Sequence, residues 1–243
     1  MSLPRSALLA LWLNAVLRGS VGPDDLVTAV RGEDPQHLVV DWPGSVGPHP
    51  LLGLVGLVTR LGDPSVRLAL PVAGDPLGLA GPPAFNASAL EAGEAVLVRG
   101  RHAELGLVPV LDARTILWTC CPASSAPLID PGEASRTLRQ VLLGATAELV
   151  RLDVAHWQPE IPDLLLNRGH RAELLVPPST GPAALETLER ADLCLDIVAL
   201  AREDDGGAIS AHEIAARSRC LTELDVAARR ALVAVCSDSL GVS

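Results

Sequence analysis

The sequence predicts an α+β protein: a mixed sheet of about five strands in the first half, covered by helices, then an all-helical second half. Three observations carry this. Short β-branched runs bounded by Pro, Gly or Asp cluster between residues 36 and 120. Apolar residues at helical spacing, opened by capping signals, fill the chain from 130 onward. Hydrophobic residues make up 49% of the 243, ample for a core and incompatible with disorder as a general description.

The first helix is expected over about 5–18, where Leu8, Leu9, Trp12, Leu13, Val16 and Leu17 form one broad apolar stripe. Arg5 before the apolar run 7–17 superficially resembles a secretion signal. Asn14 interrupts that run, Arg18 follows it and no A-x-A cleavage site is present, so a core helix is the expectation. The run is also shorter than the roughly 20 residues a membrane span takes, and no other stretch is long enough. A second helix is expected over 23–31, with Pro23 suited to a first turn.

His37–Asp41, between Pro35 and Pro43, reads as a buried strand. Residues 51–61 are helical by length despite Gly53 and Gly56, and Val66–Leu70 supplies the next strand. Strand, helix and strand across 37–70 fit a right-handed parallel crossover. A Gly/Pro loop over 71–83 leads to a short helix over 84–92. Glu94–Arg99, Leu105–Leu111 and Thr115–Thr119 then follow as three strands whose short links make an antiparallel meander.

Character changes at 122–130. Asp130, Pro131 and Glu133 give a cap, a first-turn proline and an acid three residues after the cap. That helix runs to about 153 through Leu138, Val141, Leu142, Ala145, Leu149 and Leu152. A short helix over 161–168 and a longer one over 183–203 follow. Ser210 and Glu213 form a capping box for a helix to about 219, and Thr222 caps a last one over 223–237. The halves are therefore 1–122 and 130–243; the short junction and shared apolarity favour one compact unit.

Composition excludes several chemistries. The chain has no Lys and no Tyr, so all 19 basic residues are Arg. A Schiff-base lysine, a phosphate-loop lysine and a tyrosine general acid are unavailable. The formal charge is −10, divided −3 over residues 1–127 and −7 over 128–243, which gives no general attraction for phosphate backbones or anionic lipid. The helix pair within 208–236 invites comparison with helix-turn-helix, but it offers Glu223 and Asp225 beside Arg229 and Arg230. Nucleic acid is disfavoured as a partner.

Cys120, Cys121, Cys194, Cys220 and Cys236 lack C-x-x-C spacing, and the default is free thiols in a reducing, cytoplasmic compartment. Adjacent Cys120 and Cys121 form a vicinal pair whose alternative role would be redox or soft-metal chemistry. None of the six His lies in a metal or triad spacing, and no cofactor or metal site is expected. His156, Trp157, Asn167, Arg168 and His170 form a polar cluster best read as a tryptophan-anchored junction. Asp24–Asp25 and Asp204–Asp205 fall at helix ends or turns, as caps and solvated charges.

The Gly/Pro loop is the first candidate for binding. Gly74, Gly78 and Gly81 lie between a strand and a helix, with Asp75, Asn86 and Glu91 as polar contributors. Their G-x-x-x-G-x-x-G spacing is not a dinucleotide fingerprint, and four prolines in the loop remove backbone donors. The leading expectation is a non-catalytic interaction or regulatory protein, with a protein partner or self-association as a homo-oligomer or assembly subunit. It rests on the missing catalytic constellation and the strongly apolar helices 7–17 and 51–61. The alternative is a small-molecule-binding protein or enzyme using loop 71–86 as part of its pocket.

Overall fold

The computed structural model describes residues 3–151, 174–203 and 211–237. The expected helix over 161–168, the cluster around His156, Trp157, Asn167, Arg168 and His170, the pair Asp204–Asp205, and Ser210 lie outside the described residues. Among the described residues the chain forms seven helices and eight strands. It divides into two compact units. A sheet-containing unit comprises 3–129, 175–182 and 233–237, and a helical unit comprises 130–151, 174, 183–203 and 211–232. The α+β class expected from the sequence is what the structure shows.

In the sheet-containing unit, helices α1 (Arg5–Leu17) and α2 (Pro23–Arg31) precede strand β1 (Gln36–Val40). Then come β2 (His49–Pro50), helix α3 (Leu51–Thr59), β3 (Ser65–Ala69), β4 (Leu79–Gly81) and helix α4 (Pro83–Ala92). The meander β5 (Ala95–Arg99), β6 (Glu104–Asp112) and β7 (Thr115–Pro122) follows, with β8 (Ser124–Ser125) closing the unit.

Six strands form the main sheet in the order β2-β1-β7-β6-β5-β3, while β4 and β8 pair separately. The meander is antiparallel throughout, as its short links require. One expectation is corrected: β1 and β3 are not the arms of a parallel crossover. β1 pairs in parallel with β7, and β3 pairs antiparallel with β5 at the opposite edge. Nothing local in His37–Val40 specifies which strand it joins; the late strand β7 completes its hydrogen bonds, with Leu38 opposite Leu117 and Val39 opposite Trp118.

Burial explains the sequence pattern of these strands. In β5, Ala95, Val96, Leu97 and Val98 are all fully buried, because helices cover both faces there. α1 lies against β3 and β5 with α2 and α3 beside it, and its Ala7, Leu9, Ala10, Leu13 and Ala15 are buried. The apolarity of the run 7–17 therefore serves the unit's own core. On the opposite face α4 packs Phe85 and Ala89 with Ala69, Leu97 and Val108.

The helical unit holds α5 (Pro131–Arg151), α6 (Pro182–Glu203) and most of α7 (Ala211–Cys236). Asp130 caps α5 as its sequence position indicates, its Oδ1 accepting the Glu133 N–H at 2.6 Å. Small residues such as Ala191, Ala227, Ala228 and Ala231 are buried with Leu188, Leu224 and Leu232, allowing close helix approach. The two expected helices over 210–219 and 223–237 are one. Thr222 is not a cap; its hydroxyl donates to the Ser218 carbonyl at 2.8 Å within a continuous helix. Residues 211–236 contain neither Gly nor Pro, so nothing in the segment forces a break, and the turn that a helix-turn-helix needs is absent from α7.

Candidate ligand groove

The residues singled out around the Gly/Pro loop fall into two groups. Gly74, at φ +84°, sits in a tight turn closed by Val72 and Asp75, which exchange backbone N–H and C=O bonds of 3.0 and 2.9 Å. Gly78, at φ +90°, lies against β3, where a Cβ would come within 2.8 Å of the Ala69 backbone. Its carbonyl accepts the Ala126 N–H at 3.1 Å. Asn86 Oδ1 accepts the Gly81 N–H at 3.1 Å, tying the end of the loop to the first turn of α4. Gly74, Asp75, Gly78, Gly81 and Asn86 thus hold the loop's shape and set where α4 begins, and their described backbone bonds close within the unit.

Glu91 belongs to the second group. It lines a groove of about 670 Å³ between α4 and β6–β7, with Phe85, Val108, Val110, Thr119 and Cys121 among its walls. Gly106 lies beneath the floor: without a Cβ it lets the Phe85 ring lie directly on β6, where any side chain would overlap the ring. Beyond α4 the same sheet face is thinly covered. Val110 is 48% exposed, and Leu38, Val40 and Leu117 are half-buried. The groove is concave and mostly apolar, within the roughly 300–1,000 Å³ range of small-ligand sites.

Its polar equipment is sparse. Ser88 turns its hydroxyl to the Ala84 carbonyl of its own helix at 3.2 Å. Burial pushes the Cys121 thiol up, so it stays protonated at neutral pH and serves as a soft wall atom. Strand alternation puts Cys120 on the other face of β7, where burial, with Cys121 and Asp41 adding to it, raises its thiol to about 12. The two neighbouring thiols thus project to opposite faces of β7. Among the lining residues the only ionisable side chains are Glu91 and Cys121, and no His is present. No described group of three or more His, Cys, Asp or Glu could hold a metal ion.

Sequence reasoning reached Glu91 through its distance from the loop, but missed Val108, Val110, Thr119 and Cys121. The available signal was the unbroken apolar run Leu105–Leu111, apolar on both strand faces although α4 reaches only part of one.

The chain belongs to the Rv1486c-like protein family. Residues 6–131 match the family's N-terminal domain and residues 132–233 its C-terminal domain. It is similar to a Mycobacterium avium protein described as "Uncharacterized protein MAV321", at 29% identity over 65% of this chain and 65% of that one. A Mycobacterium tuberculosis (strain ATCC 25618 / H37Rv) relative, "Uncharacterized protein Rv1486c", is 28% identical over 76% of this chain and 78% of its own length. For "Uncharacterized protein ML1804" of Mycobacterium leprae the identity is 26%, over 76% and 80%. The match thus spans just under two thirds of the Mycobacterium avium relative's length. No solved structure matches.

Proposed function

We propose that this protein is a non-catalytic binding protein whose groove between α4 and β6–β7 takes an apolar small molecule. The observation that carries the reading is the groove itself: about 670 Å³, floored by Phe85 and Val108, with ionisable lining limited to Glu91 and a protonated Cys121. Such walls offer burial, at about 0.8 kcal/mol per CH₂ removed from water, and no paired nucleophile and base. The cysteines form no disulfide, which supports a cytoplasmic location, and no described helix is long and apolar enough to cross a membrane. The acidic balance of −10 opposes nucleic acid as the partner.

Titration with decanol, followed by calorimetry and by amide shifts, tests this. Saturable binding that moves Val108, Val110 and Thr119, and is lost in Ala84→Trp, is the expected result. Ala84 is exposed and lines the groove, so the indole fills space without disturbing the core. Absence of saturable binding, or binding untouched by Ala84→Trp, defeats the proposal.

A second reading is a protein partner or a second copy laid across the exposed Val110 and Leu111, continuous with the groove. Light scattering of Val110→Asp against the unaltered protein distinguishes it: a dimer that dissociates in the variant favours association through this face.

A further inference from the structure

We infer that the groove selects a cationic amphiphile: an apolar chain ending in an ammonium or similar positive group held at Glu91. This rests on the reading of the groove as a small-molecule site and adds the charge of the occupant. Two features of α4 make that end of the groove negative. Glu91 sits in the helix's last turn and lines the groove with an exposed carboxylate, while no Arg lines the groove beside it. The last turn of α4 also carries no basic residue, so the carbonyl end of the helix, closed by Gly93 at φ +74°, keeps its partial negative charge.

The rest of the wall is mostly apolar, with the hydroxyls of Ser88 and Thr119 as its neutral polar side chains. Phe85, Val108 and Val110 accept a hydrocarbon chain, and the Ser88 hydroxyl is turned to its own helix. An anionic head would meet the carboxylate and the negative end of the helix together, and a neutral head would gain at most a hydrogen bond, without the charge attraction. A second copy of this chain would bring its own Glu91 and a net charge of −10, without a basic group in the groove lining to answer them. Charge complementarity therefore points to a cation.

The experiment compares decyltrimethylammonium, decanol and decanoate, each below its micelle concentration, on the full chain and on Glu91→Gln and Ala84→Trp. Glu91 is exposed on the helix surface, so Glu91→Gln leaves folding intact. The expected order is ammonium, then alcohol, then carboxylate. The ammonium should lead the alcohol by about three- to tenfold, as for a partly exposed ion pair assisted by a helix end. Glu91→Gln should cut that lead to about twofold or less, and Ala84→Trp should abolish binding of all three. Raising the salt concentration should shrink the same lead. Equal affinities for ammonium and alcohol, unchanged in Glu91→Gln, overturn the charge inference while leaving the groove reading intact. A preference for the ammonium that survives both variants locates the cation elsewhere on this acidic protein and also overturns it. Binding of none of the three overturns the inference together with the reading it rests on.

Discussion

The indole N–H of Trp118 donates to Nδ1 of His37 across 3.2 Å, and that bond fixes the charge state of the imidazole. Nδ1 must carry a lone pair to accept it, so the proton sits on Nε2, which faces Asp34 Oδ2 at 3.1 Å. Arg5 completes the chain, donating to both oxygens of Asp34 at 2.7 and 3.0 Å. A relay from α1 through the α2–β1 link to β7 thereby pins the parallel strand pair to the helical layer.

A second proton on His37 would confront the Trp118 N–H with another donor. Burial is the largest influence on the imidazole and holds it below its ordinary value of 6.5; Asp34 pulls the other way, and Arg5 and Arg31 add repulsion. Because the unfolded chain takes the proton more readily, stability is complete above about pH 6.5 and falls as pH drops through the folded value. The melting temperature of the unaltered protein should therefore decline from about pH 7 to about pH 5. His37→Asn, whose carbonyl oxygen can still accept from Trp118, should show a flatter profile over that range. Parallel profiles would mean the sensitivity arises elsewhere.

Trp118→Phe tests the same bond from the donor side. It leaves Nδ1 of His37 unpartnered in a buried site and removes part of a fully buried side chain, at a cost on the order of 2 kcal/mol. With the indole N–H gone, His37 is freer to ionise, so its NMR titration midpoint should rise. An unchanged midpoint would show that burial alone sets it.

Glu94 carries the opposite sign. Helix α1 begins after Pro4, which has no side-chain acceptor, and its first turn has no acidic residue. Glu94 supplies the missing cap from the α4–β5 link, its Oε2 accepting the Ser6 N–H at 2.7 Å. Burial pushes this carboxyl above its ordinary value, more than the Ser6 bonds and Arg5 bring it down. Its ionisation therefore weakens the folded state as pH rises from the unfolded value through the folded one. Glu94→Gln keeps an acceptor without the charge, and should be as stable as the unaltered protein or more so at neutral pH, the difference narrowing toward about pH 4.5. Glu94→Ala should lose about 1–2 kcal/mol in urea unfolding, since the Ser6 N–H is left without its cap. A larger loss in the Gln variant than in the Ala variant would contradict the cap.

Much of the local chemistry was legible in the sequence, Thr222 excepted, since it lies inside a continuous helix; long-range pairing was not. Asp130 as a cap, Pro23 at a helix start and the meander links depend on neighbouring residues, and each stands where the sequence puts it. The partner of β1 depends on β7, nearly eighty residues later, so the compact run His37–Val40 carried no information about its register. Asn14 illustrates the same limit. In the sequence it only interrupts an apolar run, whereas in the fold it replaces a missing strand neighbour. The groove was hidden for a further reason: its walls come from α4, β6 and β7, and their apolar residues look like ordinary core until the uncovered part of the sheet face is known.

Asn14 is 4% exposed within α1, and its amide spans both backbone groups of Val66 on edge strand β3. Nδ2 donates to the Val66 carbonyl at 3.1 Å and to the Cys236 carbonyl at 3.2 Å, while Oδ1 accepts the Val66 N–H at 3.3 Å. The Ser237 hydroxyl oxygen accepts the next inward N–H, that of Leu68, at 3.1 Å. Side chains thus close this sheet edge against pairing with another strand. Asn14→Ala should cost about 2–4 kcal/mol and accelerate hydrogen exchange at the Val66 amide. Asn14→Asp, which keeps an acceptor but loses the amide donor and buries a charge, should be no better near neutral pH. Slow Val66 exchange in Asn14→Ala would show that the edge is protected by something other than this side chain.

Phe85 and Gly106 set the depth of the groove, and their dependence on each other can be measured. A Cβ at Gly106 would occupy the space of the Phe85 ring, so Gly106→Ala must displace the ring or lift α4 from the sheet. Overpacking of this kind costs about 1–3 kcal/mol. Phe85→Leu alone leaves a void over β6 and should cost about 1–2 kcal/mol. In the double variant the smaller side chain makes room for the added methyl, so the losses should fall short of additivity by at least about 1 kcal/mol in urea unfolding. Gly106→Ala alone should also weaken decanol binding, because a displaced ring narrows the groove. Phe85→Leu should bind decanol at least as well, since it deepens the floor. Strict additivity of the stability losses would mean that α4 does not rest on β6 through this ring, and that the groove floor is set by other contacts.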